Sequence, residues 1–180
     1  MLKRLSALLT LVICISFLTQ PVLAKDSAAH GMYRVQDLNK QTAKQLLGQP
    51  EFSEDVEDGY VLWAYVPFKD YQIYILFNDK DEAAFIAYVA ADANAQLAAA
   101  CKKIGLVTSD GITLGTAENV LLDKLGKPAD KTEFSDEDGF MSLVPGPCTA
   151  LDYNGQAFIM RNKTVHAIFN YNPDDKVFDE

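Results

Sequence analysis

LLGQP at residues 46–50, followed directly by EFSEDVEDGY at 51–60, returns later in the chain as KLGKP at 124–128 and EFSDEDGF at 133–140. Pro50 recurs as Pro128, Gly59 as Gly139 and Lys80 as Lys163, so the spacing drifts from 78 to 80 to 83 positions while the order is kept. Small length changes in loops produce that drift, and one folding pattern is used twice. In each copy a glycine followed by a proline closes a helical stretch. Glycine accepts the backbone of a helix end, and proline cannot continue a helix.

The residues around these anchors fill in the pattern. Asp37 to Leu47 has helical spacing, with Leu38, Ala43, Leu46 and Leu47 able to share a face and Asn39 available as a cap. An acidic, turn-like stretch leads to Gly59. Tyr60–Phe68, Tyr71–Phe77 and Ala84–Val89 then read as three antiparallel strands, being rich in aromatic and β-branched residues between turn signals. In the second copy Gly111–Gly115 is a short extended piece, Thr116 a cap, and Val120, Leu121 and Leu125 the buried side of a helix. Strands are expected at 139–144, 148–153, 156–160 and 164–171. Between the copies, the alanine-rich 91–105 carries Lys102 and Lys103 near its carbonyl end and reads as a helix. The expected fold is α+β: two tandem helix-plus-antiparallel-sheet units, at 35–90 and 108–172, joined by a short helical linker at 91–107.

The ends of the chain read differently. Lys3 and Arg4 precede an apolar run from Leu5 to Leu18, and the segment closes on Val22-Leu23-Ala24, the pattern of a secretory signal cut after Ala24. The run is shorter than the roughly 20 residues a membrane span needs, so no stable membrane insertion is expected after cleavage. Bulky Ile13 stands before Cys14 where a lipid-attachment signal wants a small residue, so no lipid anchor is expected. Residues 25–34 read as a flexible leader and 173–180 as an acidic tail, and the expected location is secreted or periplasmic. Removing Lys3 and Arg4 from a chain of formal charge −9 leaves −11, which repels nucleic acid and anionic headgroups. The remaining cysteines, Cys101 and Cys148, have two readings outside the cytoplasm: a disulfide, whose loop closure would contribute roughly 4 kcal/mol, or two buried thiols.

Little in the chain promises catalysis. Only His30 and His166 are present, no His-Glu-x-x-His, Gly-x-Ser-x-Gly or glycine-rich phosphate loop occurs, and no Cys-x-x-Cys is found. No enzyme activity, cofactor or metal is therefore expected. The acidic stretches 51–58 and 133–138 invite a calcium reading, but an EF-hand alignment on Asp136 and Asp138 puts Phe134 at the first ligand position and Pro145 where the bidentate glutamate belongs. His166 lies between Val165 and Ala167, and strict alternation turns it to the face opposite both.

GITLGTAENVLLDKLGKP at 111–128 resembles the helix motif of the superfamily of β-lactamase inhibitory protein (BLIP)-like and BamE/SmpA-like domains, through Gly115, Thr116, Val120 and Gly126. Leu47-Gly48-Gln49-Pro50, the Trp63-Ala64-Tyr65 strand and Tyr153-Asn154-Gly155 resemble the same group. The resemblance implies a tandem, secreted form in which two helix-plus-sheet units align into a broad sheet whose exposed face grips a protein. The inhibitors' contact residues and cysteine pattern have no counterpart here.

The strand alternation at 60–68 puts Val61, Trp63 and Tyr65 on one side and Tyr60, Leu62, Ala64 and Val66 on the other, so both faces are apolar. One face must cover the helix, and the other is left for the second unit, another subunit or a partner. The functional expectation is a non-enzymatic protein-binding module with Trp63, Tyr65 and Tyr74 as anchors, since Trp and Tyr bury large area with a polar tip. The competing readings are that these aromatics pack within the chain, and that the acidic loops form an envelope small-ligand or calcium-binding site.

Overall fold

The computed structural model describes residues 31–173 apart from 57–58, 69 and 136–142, with the backbone alone at 67–68. After a 3-10 turn at Val35–Asp37 come helix α1 (Lys40–Leu47) and strands β1 (Phe52–Asp55), β2 (Val61–Phe68), β3 (Tyr71–Phe77) and β4 (Ala83–Ala90). Helix α2 (Ala95–Lys103) leads to α3 (Glu118–Leu125), β5 (Asp130–Phe134), β6 (Cys148–Asp152), β7 (Gln156–Arg161) and β8 (Thr164–Tyr171).

All eight strands join one antiparallel sheet in the order β1-β2-β3-β4-β8-β7-β6-β5. The expectation of two tandem helix-plus-sheet units is therefore corrected. β4 and β8 are hydrogen-bonded from Phe85↔Tyr171 to Val89↔Ala167, so the ladder runs unbroken through the middle, and both apolar faces are continuous across it. α2 is correspondingly a part of that core, through Leu97 and Cys101, and not a linker between separate bodies.

The duplication survives as matching detail within the one sheet. Gly48 and Gly126 cap α1 and α3 with nearly the same backbone, φ 88°, ψ −159° and φ 74°, ψ −151°, a region open only to glycine. A tyrosine hydroxyl donates to each capping carbonyl: Tyr65 to Gly48 O at 3.4 Å and Tyr153 to Gly126 O at 3.0 Å. Each helix entry bridges the start of its half's last strand, Asn39 opposite Glu82 and Ala117 opposite Thr164. The same bulge follows: Leu76 and Phe77 face Phe85 and Ala83, skipping Ala84, while Ile159 and Met160 face Ala167 and Val165, skipping His166.

Local chemistry explains the boundaries. α1 begins at Lys40 because Asn39 Oδ1 accepts from Thr42 N and Thr42 Oγ1 accepts from Asn39 N, a reciprocal cap that leaves Asp37 in the preceding turn. Thr116 does not cap α3. Its hydroxyl accepts from Thr113 N, and Ala117 stands at the cap. Leu46 and Val120, expected inside, are exposed, and Ala43 and Leu121 point inward. The acidic stretches are not simple turns. Phe52–Asp55 and Asp130–Phe134 are the sheet's two outer strands, short and charged as edges exposed to solvent usually are. The strand expected at 139–144 falls mostly outside the described residues, as do the signal, the leader up to residue 30 and all but Pro173 of the tail.

Candidate functional site

Trp63, Tyr65 and Tyr74 do not gather on one accessible face. Their exposures are 5%, 2% and 5%, which leaves no contact area for a partner on the side chains as they stand. Trp63 and Tyr65 belong to the cluster under the helices, whereas Tyr74, paired with Ala64, belongs to the cluster on the opposite face. Trp63 packs edge-on against Phe77 with ring centroids 4.7 Å apart, and Lys44 Nζ sits 5.0 Å from its ring centroid. Tyr65 holds the end of α1, and the Tyr74 hydroxyl bonds Gln72 Oε1 on its own strand. Burial raises the hydroxyl pKa values of both tyrosines, for Tyr65 with a smaller contribution from Glu51.

Cys101 and Cys148 are not joined by a disulfide, and the sheet explains why. Cys101 on α2 lies in the helix-side cluster and Cys148 on β6 in the opposite one. Burial pushes the Cys101 thiol up, against a hydrogen bond with Thr113 that lowers it. Among the described residues no three His, Cys, Asp or Glu side chains come together to hold a metal, and residues 57–58 and 136–138 of the acidic stretches lie outside those described.

His166 is the unpaired extra residue of the β8 bulge, and the bulge puts Val165 in the helix-side cluster and Ala167 in the other. Simple alternation therefore misplaces it. Burial, and then nearby Arg161, hold its imidazole below the usual value, against an opposing effect of Asp92. An unfolded histidine takes up its proton near pH 6.5, and the folded one only at lower pH. In that window the unfolded chain binds more protons, so stability is expected to fall as pH drops through about 6.5 and to stop falling on this account below the folded pKa. Denaturation midpoints measured from about pH 7.5 to 5 should show a shallower acid loss in His166→Gln than in the wild type. Equal slopes would remove His166 from the pH response.

The two faces differ in what covers them. Every described helix contributes to one cluster, through Ala43, Leu97, Cys101 and Leu121. The other cluster is built from strand residues such as Leu62, Tyr74, Leu76, Phe85, Ile159 and Phe169, joined among the described residues by Leu143 and Val144 from the β5–β6 connection and by Val56 and Tyr60 between β1 and β2. Half-buried aromatics flank it: Phe52 and Tyr60 towards one edge and Phe134 towards the other. Phe52 and Phe134 are equivalent positions of the sequence repeat, each following a glutamate and preceding a serine. The sequence carried this signal in the two EFS triplets, but reading both as turns hid it.

No family model matches the chain. No curated protein matches it either, so the resemblance read from Gly115, Thr116, Val120 and Gly126 gains nothing from these comparisons. Among solved structures, a DUF4309 family protein of Bacillus subtilis is similar at 13% identity and TM-score 0.46, covering 94% of this chain and 96% of that one. A cysteine-rich secretory protein of Staphylococcus aureus is similar at 9% identity and TM-score 0.42, covering 74% of this chain and 43% of its own. An extracellular protein of Bacillus anthracis containing an SCP domain is similar at 8% identity and TM-score 0.46, covering 88% and 50%. The chain thus spans half or less of the length of the last two. Similarity at this level carries no functional argument. Among the described residues no helix is long and apolar enough to cross a membrane.

Proposed function

We propose that this chain is a non-enzymatic protein-binding module working outside the cytoplasm, and that it meets its partner through aromatic side chains at the margins of the sheet's helix-free face. The observation that supports this reading is the asymmetry of the two faces. Among the described residues that face carries no helix, its central cluster is at most 9% exposed, and half-buried Phe52, Tyr60 and Phe134 offer aromatic area at its margins. Trp63 and Tyr65 are assigned to the scaffold, and of the three expected anchors only Tyr74 remains on the binding face. Glu51, Glu54, Asp55 and Asp130 lie within four residues of the flanking phenylalanines, with Glu133 paired to Lys131 at 3.1 Å, so the rim keeps a net negative charge that favours a basic partner and speeds its approach. The signal pattern at 1–24 supports the extracytoplasmic location.

The test is affinity capture from the envelope and secreted fractions of the protein's own organism, comparing wild type with the double variant Phe52→Ala, Phe134→Ala. Both side chains are half-buried, so the variant is expected to keep its circular dichroism and a cooperative melt. A partner held by the wild type and lost by the folded variant is the expected result. Retention by the variant, or no specific partner with either protein, would overturn the proposed face.

A further inference from the structure

Where β8 runs out, the chain entering at Gly31–Gln36 crosses the end of the sheet and leaves a cleft of about 620 Å³. Strand residues Gln156 and Asn170, the loop at Val107–Ser109 and the turn at Asn154–Gly155 line it, and a neighbouring compartment of about 580 Å³ shares Val35, Gln36, Tyr171 and Pro173 with it. Volumes of this size suit small organic ligands. The cleft is at the end of the central strands and its lining includes none of Phe52, Tyr60 and Phe134, so it does not depend on that reading.

The chemistry of the lining narrows the ligand. Its floor is a fixed chain of amides: Gln156 Nε2 donates to Asn170 Oδ1 at 2.6 Å, and Asn170 Nδ2 donates to Tyr33 O at 3.4 Å. Asn170 is itself buried, so its amide cannot turn to water without breaking that chain. Tyr171 borders the cleft, but its side chain lies on the other face of the sheet, packed against the helix-free cluster with its hydroxyl donating to both carboxylate oxygens of Asp152 at 2.7 Å. At the rim, the side-chain amides of Gln36 and Asn154 make no hydrogen bond among the described residues.

Arg34, the cation among the lining residues, is exposed and uses only Nε on Asp37 at 3.0 Å, so its other guanidinium N–H groups are open to ligand oxygens, and the lining holds no carboxylate for a cationic ligand. An apolar ligand would strand the amides without partners. The geometry points to a hydroxyl-rich ligand of the saccharide class, its oxygens and hydroxyls met by Gln36, Asn154, the Gln156–Asn170 pair and the Arg34 guanidinium.

The processed protein, isotope-labelled, is titrated with maltose, cellobiose and N,N′-diacetylchitobiose while its amide resonances are followed. The expected result is saturable shifts for at least one disaccharide, concentrated at residues 34–36, 107–109, 154–156 and 170–171. The double variant Gln36→Ala, Asn154→Gly removes two exposed side chains and leaves the positive φ of residue 154, +54°, unstrained, so it should melt close to the wild type and bind about tenfold or more weakly. Absence of saturable shifts with all three sugars, shifts located elsewhere, or unchanged affinity in a folded variant would overturn the assignment. None of these results bears on capture through Phe52 and Phe134, so the two readings fail separately.

Discussion

Gly115→Ala is expected to destabilise the protein by about 4 kcal/mol, the sum of a strained backbone and a steric collision. Gly115 has φ +79°, where an L side chain is disfavoured, and a methyl group added there would lie 2.1 Å from Asn94 O and 2.9 Å from Ala98 N. Those two atoms form the first backbone hydrogen bond of α2, at 3.0 Å, so the neighbour that must yield is a helix terminus and not a flexible side chain. Nor can the Gly115 segment retreat. Gly115 N donates to Val165 O, Val165 N to Thr116 O, and Glu118 N to Lys163 O, each at 2.9 Å, which stitches the entry of α3 to β8. Relief at either contact breaks a bond at the other. Gly126→Ala isolates the backbone component, because Gly126 also has positive φ, +74°, and no atom within 4 Å of an added methyl. Urea denaturation of both variants is the measurement. Gly115→Ala should lose clearly more stability than Gly126→Ala, and equal losses would show that the approach to α2 is not tight in solution.

Gly115 also shows how the sequence carried more than one kind of information. Its place beside Thr116 in the quoted helix motif was legible, as were Gly48 and Gly126 as helix ends and the order of the repeated anchors, because backbone geometry restricts those positions to few residue types. Three features were not legible, each for a physical reason. Strand pairing between β4 and β8 joins residues some 80 positions apart, and no local pattern reports which edge meets which, so two units and one sheet read alike. The bulges at Ala84 and His166 break a two-residue alternation without any change in composition, so alternation does not predict that Val165 and Ala167, on either side of His166, lie on different faces. The outer strands are short and acidic because they are edges, and that composition is also the composition of turns. The burial of Trp63, Tyr65 and Tyr74 was not legible for a related cause. Aromatic residues in a strand that is apolar on both faces fit a core as well as an interface, and only the placement of the helices decides between them.

Trp63→Ala decides that point by experiment, and the expected result is loss of stability by roughly 3–5 kcal/mol. Trp63 is 5% exposed, sits on β2 opposite Ile75, and fills the space between the sheet and α1, with Phe77 against its edge and the Lys44 ammonium near its face. Truncation leaves a cavity that the surroundings cannot close. Phe77 and Ile75 are fixed in the sheet ladder, and α1 is tied at one end by the Asn39–Thr42 cap and at the other by the Tyr65 hydroxyl. Set against a total stability of about 5–15 kcal/mol for a domain, the loss is large, and the melting temperature should drop on the order of 10 °C. Had Trp63 been a partner anchor on an exposed face, the same change would leave the melt within a degree or two and abolish capture instead. The control is Phe52→Ala, for which the opposite pattern is expected: a small change in melting and a weakened partner. A Trp63→Ala protein that melts like the wild type would return the aromatic pair Trp63 and Tyr65 to the binding surface and move the proposed interface to the helix side.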